Sequence, residues 1–162
     1  MLRITRDTDY AARMLLHLAC LGDDAQVSIR VIAAQRHLPV PFVRRLVARL
    51  VEAGLLATTR GASGGIRLAR PAHNMSLADV VTAMEGPLAL NDCVGDARAC
   101  PLSRRCPVNG AWSEATRALE QTLANVRFDA LANASASHVP AHLSAHATGT
   151  IRTKTKTGTK KK

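Results

Sequence analysis

Two helical patterns separated by a proline-containing break, with a glycine-rich connection close behind, constrain the fold of this chain more than any other feature. Ser28 is a typical N-cap residue and precedes a short helical pattern over 29–36. Pro39 ends that pattern, because a proline disfavours helix at the residue before it. A second helix is predicted over 41–53, since Pro41 suits the first turn of a helix. We therefore expect two helices joined by a short turn.

Two short runs of β-forming residues follow the second helix, over 55–60 and 66–70. The segment 61–65 between them contains three glycines, which is typical of a β-hairpin connection. A further helix is predicted over 8–21, where apolar residues recur at the helical spacing i, i+3, i+4 and i+7. The order helix, short helix, turn, helix and hairpin is that of a winged helix-turn-helix.

The second half of the chain contains two more predicted helices around a loop. Ser76-Leu77-Ala78-Asp79 resembles a capping box and opens a helix that Gly86-Pro87 ends. A loop over 88–108 follows, and then a final helix over 110–127. The larger side chains of that helix alternate spacings of four and three, which suits a contact between two helices. They are Trp112, Thr116, Leu119, Leu123 and Val126. We expect this helix to pair two copies of the chain; the alternative is that its face packs on its own domain.

The composition favours helices throughout. Hydrophobic residues make up 47% of the chain but aromatic residues only 2%, so the core must be built from Leu, Val, Ile and Ala. We predict a mainly α fold with a small β-hairpin wing: a winged helix-turn-helix domain over 1–75, and a helix, loop and long dimerisation helix over 76–133. The segment 134–162 is predicted to be a disordered basic tail, because it has almost no large apolar residues.

The charge of the chain favours a polyanionic partner. The formal net charge is +10, and the segment 151–162 alone contains six Lys and Arg and no acid. Neutralising nucleic-acid phosphates releases counterions, so a basic protein gains affinity for DNA. No apolar run approaches the roughly 20 residues of a membrane span, and the polar N-terminus is not typical of a signal peptide. We expect a cytoplasmic protein with no membrane partner.

On this fold the second helix of the pair enters the major groove, and the hairpin lies over the neighbouring backbone. Arg44 and Arg45 on its outer face are expected to meet base edges, and the other arginines to meet phosphates. The alternative is a helix face that is merely solvated. The predicted contacts with a double-stranded DNA operator are Pro41, Arg44, Arg45, Arg49, Arg60, Ser63, Gly64 and Arg67.

Three of the four cysteines, Cys93, Cys100 and Cys106, lie in the loop with the spacing C-x6-C-x5-C. Three thiolates on a short loop can hold one soft-metal centre. The gaps are longer than those of common zinc knuckles, so we expect an iron–sulfur cluster (4Fe-4S or 2Fe-2S). Three ligands leave one weak position, where a small molecule can attack. The fourth cysteine, Cys20 in the first helix, is predicted to be buried.

Two alternatives to a cluster stay open. The same cysteines could bind zinc in a structural interaction module that holds nucleic acid nonspecifically, or they could be free thiols. An enzyme is not expected, because the sequence shows no nucleophile–base pair, phosphate loop or paired carboxylate.

These motifs together resemble one family, the Rrf-type iron–sulfur transcription regulators, which have IscR-, NsrR- and RirA-like branches. The resemblance covers about residues 1–131. It rests on TDYA at 8–11, EAGLL at 52–56, RGASGGIRL at 60–68, SLADVV at 76–81 and the cysteine triad.

The resemblance implies a homodimer whose cluster is held by the three loop cysteines. We expect this dimer to bind a palindromic operator and to repress. Asp9 occupies the place of the fourth ligand of the NsrR-like branch, supplied by the second subunit; otherwise it is simply an acid at a helix N-terminus. The IscR-like branch has a histidine ligand three residues after the last cysteine, where this chain has Asn109. Nitric oxide, iron and redox state all stay open as the signal.

Overall fold

The computed structural model describes residues 4–59 and 64–138 and is mainly helical. The chain forms three single 3-10 turns, Ala72–Asn74, Ala97–Ala99 and Ser103–Arg105, in addition to its helices and strands. In chain order these are α1 (Arg6–Leu21), α2 (Ile29–Gln35), α3 (Val40–Glu52), β1 (Leu56–Thr59), β2 (Gly65–Leu68), α4 (Leu77–Glu85), α5 (Asp92–Gly95), α6 (Pro107–Asn125) and α7 (Phe128–His138). The predicted mainly α fold with a hairpin wing is confirmed. None of the helices in these two ranges is long and apolar enough to cross a membrane.

The two helices of the helix-turn-helix begin where their capping residues predict. The Ser28 hydroxyl accepts a hydrogen bond from the backbone N–H of Val31 at 3.2 Å and so caps α2. Pro39 is the N-cap of α3, and Pro41 lies in its first turn. One face of α3 is buried in the core; its members are Val43, Leu46, Val47 and Leu50. The chain leaves α3 through Gly54, whose positive φ of 69° favours glycine.

The wing is an antiparallel hairpin in which Leu56 pairs with Leu68 and Thr59 with Gly65. Ile66 also exchanges two backbone hydrogen bonds with Val27, at 2.8 and 3.0 Å, which fixes the hairpin to the segment before α2. This close approach requires glycine at position 65, because a Cβ there would lie 2.7 Å from the Val27 carbonyl oxygen. The start of strand β2 is therefore fixed to the segment that leads into the helix-turn-helix.

The helix α4 begins with the predicted capping box. The Ser76 hydroxyl accepts from the Asp79 N–H at 3.3 Å, and the Asp79 carboxylate accepts from the Ser76 N–H at 2.7 Å. Val80 and Met84 of α4 belong to the same core as Met14 of α1. The helix that leads into the cysteine loop thus packs directly on the helix-turn-helix unit.

The C-terminal helices differ from the sequence-based expectation. Helix α6 begins at Pro107, three residues before the predicted start, and a further helix, α7, follows it. The prediction of disorder from Ala134 is wrong as far as His138, because α7 extends to that residue. The remainder of the predicted tail lies outside the described residues. Phe128, at the start of α7, is fully buried against the core, and its N–H donates to the Met75 carbonyl at 3.0 Å. This tertiary anchor stabilises a segment of mostly small side chains.

Candidate DNA interface and cysteine loop

The outer face of α3 carries exposed arginines opposite its buried face. Arg44, Arg45 and Arg49 are all exposed, and Pro41 at the start of the helix is exposed as well. The helix therefore presents a cationic surface to solvent, as its sequence pattern predicts.

On the wing, Arg67 is exposed on β2, and its Nη1 donates to the Leu68 carbonyl at 3.2 Å. Gly64 immediately precedes β2 and is half-buried. Arg60 and Ser63 lie outside the described residues. Strand β1 packs against α3, so Arg67 and the arginines of α3 belong to one continuous unit.

Arg45 is held by two side chains of its own chain. Its Nη2 donates to Asp7 Oδ2 at 2.9 Å, and its Cζ lies 5.1 Å from the centre of the Phe42 ring. Asp7 belongs to the first turn of α1. Sequence reasoning missed this pairing, because residues 38 positions apart leave no local signal.

Arg49 joins α3 to the end of α4, because its Nη2 donates to the Met84 carbonyl. The sequence suggested a phosphate contact for Arg49; in this structure the guanidinium also serves as an interhelical bridge.

Glu85, the last residue of α4, accepts hydrogen bonds from the Thr5 N–H at 3.1 Å, from the Thr5 hydroxyl at 2.7 Å and from the Thr8 hydroxyl. The hydrogen bond from Thr8, with those from Thr5 and the nearby Arg49 charge, holds the pKa of Glu85 below its ordinary value. The last turn of α4 is thus tied to both α1 and α3.

The cysteine loop lies between this last turn and α6. Cys93 lies in α5, Cys100 follows a 3-10 turn, and Cys106 is the N-cap of α6. All three are half-buried, and none of them forms a disulfide. The Ser103 hydroxyl donates to the Ala97 carbonyl at 2.7 Å and holds the two later turns of the loop together.

Cys93 is attached to the start of α6 by Asn109. The Asn109 side-chain amide donates to the Cys93 carbonyl at 2.9 Å and to the Cys93 Sγ at 3.2 Å. On its other side, the Cys93 thiol donates to Asn91 Oδ1 at 3.7 Å. Asn109 stands where one branch of the resembled family has a histidine ligand. Its side-chain amide contacts the first cysteine of the loop.

The donor set of the loop fits a soft-metal centre in chemistry and number of sulfur atoms. Three cysteine sulfurs within 14 consecutive residues are ligands that iron–sulfur clusters and zinc both accept. Within residues 4–59 and 64–138, however, no three His, Cys, Asp or Glu side chains converge on one point. One chain thus brings the three sulfurs to one loop without bringing them together at one point.

Asp9 lies apart from the cysteines, in the first turn of α1. Its Oδ2 accepts from Arg13 Nε at 2.9 Å, and its side chain is 51% exposed. It borders a groove of about 470 Å³ with a mainly apolar lining that includes Val80 of α4 and Leu123 of α6. The carboxylate is therefore open to a second molecule that enters this groove.

Cys20 corrects one sequence-based prediction, because it is exposed rather than buried. It lies two residues after the buried Leu18, about 200° further around α1, and so on the opposite face. Cys20 is consequently separate from the cysteine loop and from the core.

This fold is that of a winged helix-turn-helix DNA-binding regulator, since the wing follows the second helix of the pair and leaves its arginine face open. Residues 4–134 match the Rrf2 family, described as iron-dependent transcriptional regulators. The chain belongs to the Rrf2 family and is a transcriptional regulator, not an enzyme.

Two relatives show the extent of the similarity. Protein rrf2 of Nitratidesulfovibrio vulgaris is 34% identical over 122 residues, which cover 75% of this chain and 81% of that protein. Protein aau3 of Rhizobium meliloti is 35% identical over 134 residues, which cover 82% and 86% of the two chains.

Two solved structures share the fold. CymR (YrzC), the global cysteine regulator of B. subtilis, superposes with a TM-score of 0.67 at 25% identity and covers 83% of this chain and 98% of its own. IscR of T. potens superposes with a TM-score of 0.66 at 23% identity, covering 90% and 97%. The second likeness concerns the fold alone.

Proposed function

We propose that this protein is a homodimeric repressor that reads a palindromic operator and whose DNA affinity depends on an iron–sulfur cluster at Cys93, Cys100 and Cys106. The observation that carries the proposal is the position of the cysteine loop. It begins at the turn of α4 that Arg49 bridges to the recognition helix, and it ends at the N-cap of α6.

The exposed arginines of α3 support sequence-specific reading. An arginine pairs bidentately with guanine O6 and N7, and such a pair is worth about 1–3 kcal/mol of discrimination. Arg44 and Arg45 are the candidates for base edges. Arg67 and, beyond the described residues, Arg60 and Ser63 are the candidates for the backbone at the wing.

The exposure of α6 supports a dimer. Of its 19 residues, only Thr116 is buried in the described part of this single chain, whereas Trp112 is 43% exposed. A second copy packed along α6 would cover Trp112 and set the distance between the two recognition helices. Operators require half-sites about 34–36 Å apart, or multiples of that distance, so a small change in this packing weakens binding.

The three loop thiols would hold the cluster, and Asp9 of a second copy would complete its shell. When bound, the cluster supplies a centre that reacts with nitric oxide or is lost under iron shortage or oxidation. A carboxylate is a weak ligand for a soft centre and is easily displaced, so nitric oxide, iron shortage and oxidation all remain candidate signals. On this proposal the exposed Asp9 and the groove beside it receive the second subunit.

The contacts of α4 provide a route from the loop to the DNA. A change in the loop moves the chain at Gly86, directly after the turn held by Glu85 and Arg49. Because Arg49 belongs to α3, a displacement of this turn reaches the recognition helix through one hydrogen bond. The loop thereby influences both α3 and the dimer helix α6.

The test compares Cys100→Ala with Cys20→Ala in protein purified without oxygen. Cys100→Ala should lose the visible absorption, iron and sulfide of the parent, while Cys20→Ala should keep all three, because Cys20 lies outside the loop. Colourless parent protein with stoichiometric zinc would instead favour the structural zinc module. Equal iron and sulfide contents in both variants would contradict the ligand assignment.

A further inference from the structure

Arg45 differs from the other exposed arginines of α3 in that two partners restrain its guanidinium. Its Nη2 lies 2.9 Å from Asp7 Oδ2, and its Cζ lies 5.1 Å from the centre of the Phe42 ring. The Arg45 side chain is nevertheless 61% exposed, whereas that of Asp7 is 33% exposed. The cation thus faces solvent while the carboxylate lies behind it.

The restraint is built from two matching helix faces. Asp7 and Tyr10 are three residues apart on α1, and Phe42 and Arg45 are three residues apart on α3, so each pair lies on one side of its helix. Tyr10 and Phe42 meet edge to face, with ring centres 5.7 Å apart and planes at 88°. This aromatic contact sets the distance across which Asp7 reaches Arg45.

We propose that Asp7 is a specificity-determining residue that orients Arg45 toward a guanine in the major groove. The proposal rests on the proposed reading of DNA by α3. Asp7 uses one oxygen against one nitrogen, and a guanidinium has five N–H donors in a planar fork. An edge with two parallel N–H donors therefore stays available for guanine O6 and N7. A side chain that is already ordered loses less conformational freedom on binding, so the base contact gains affinity.

An opposite effect would follow if Asp7 only competed with DNA. A carboxylate near the interface repels phosphates, and its removal would then strengthen binding to every duplex. The exposure pattern favours orientation, because the acid is the less exposed member of the pair. On a specific duplex, removal of the Asp7 charge weakens binding if Asp7 orients Arg45 and strengthens binding if Asp7 only competes with DNA. The direction of the change in affinity therefore separates the two effects.

The test begins with duplexes selected by the full-length parent protein from a randomised library. Asp7→Asn should bind the selected duplex about 5- to 20-fold more weakly and lose the preference for guanine at one position of each half-site. Its affinity for random-sequence duplex should not fall, since a negative charge has been removed. Asp24→Asn is the matched control, because Asp24 is an exposed acid in the turn after α1. It should keep the selected preference.

Two further variants complete the experiment. Asp7→Glu keeps the charge and should retain part of the guanine preference, which separates orientation from a general loss of folding. In an Arg45→Ala background, Asp7→Asn should change the base preference no further. Asp7→Asn that binds the selected duplex as tightly as the parent, with the same preference, would overturn the role of Asp7. If Arg45→Ala itself changes nothing, the proposed reading by α3 fails as well.

Discussion

The side-chain nitrogen of Asn109 lies 3.2 Å from the Sγ of Cys93 and connects the first cysteine of the loop to the first turn of α6. The same amide donates to the Cys93 carbonyl at 2.9 Å, so it fixes both the backbone and the sulfur of this residue. Groups that hydrogen-bond a metal ligand orient it and tune the metal. Asn109 is therefore a positioning residue for the proposed cluster.

Replacement of Asn109 should loosen Cys93 without removing a sulfur. We expect Asn109→Ala to assemble a cluster with shifted visible absorption and to lose iron to a chelator about 10- to 100-fold faster than the parent. Anaerobic spectroscopy measures both effects. Asn125→Ala, at the exposed end of the same helix, is the control and should behave like the parent. Identical spectra and rates for Asn109→Ala would show that its contact with Cys93 has no role at the centre.

The hydrogen bonds that Glu85 accepts should make stability depend on pH. Because the pKa of Glu85 is lowered in the folded chain, its contribution is present above the ordinary glutamate pKa of about 4.3. That contribution is lost as the pH falls through the lower folded value. The free energy of unfolding of the parent should decrease through this acidic range, and that of Glu85→Gln should decrease less. Denaturant unfolding at several pH values measures the slope, with Glu52→Gln as an exposed control. An unchanged slope in Glu85→Gln would contradict the assignment.

The glycine at position 65 should be required for the wing. Gly65→Ala places a Cβ 2.7 Å from the Val27 carbonyl oxygen, so the hairpin must move away from the segment before α2. We expect a loss of about 1–3 kcal/mol in the free energy of unfolding. Gly110→Ala is the contrasting variant, because no atom lies within 4 Å of its added Cβ and alanine favours helix. A Gly65→Ala protein as stable as the parent would contradict the close packing of β2 against Val27.

The exposed face of α6 should control the oligomeric state. Trp112→Glu places a charge on the proposed contact and should raise the dimer dissociation constant at least about 10-fold. Sedimentation measurements over a range of concentrations give that constant. Ala118→Glu, on another side of the same helix, should leave the dimer intact. If Trp112→Glu dimerises like the parent, the contact between subunits lies elsewhere.

The elements whose signals are local could be predicted from the sequence. Ser28 and Ser76 cap the helices that their hydroxyls predict, and the inward residues of α3 follow directly from their helical spacing. The three cysteines could likewise be assigned to one loop, because they are close in sequence.

The features that depend on distant packing could not be predicted. Helix α7 is composed mainly of small residues, and its stability comes from Phe128 packed in the core beside α1. The only sequence signal is the helical spacing of Phe128 and Leu131. The pairing of Asp7 with Arg45 and the hydrogen bonds of Glu85 likewise join residues far apart in the chain, which only the tertiary fold brings together.

The most direct measurement of the central claim compares the operator affinity of one anaerobic preparation before and after its cluster is removed. A duplex selected by the untreated protein serves as the probe, and iron, sulfide and DNA dissociation constants are measured on the same samples. We predict that removal by nitric oxide or chelator weakens binding about 5- to 150-fold, the usual range of coupling between two sites. Protein without iron or sulfide that binds the selected duplex with an unchanged Kd would contradict the account.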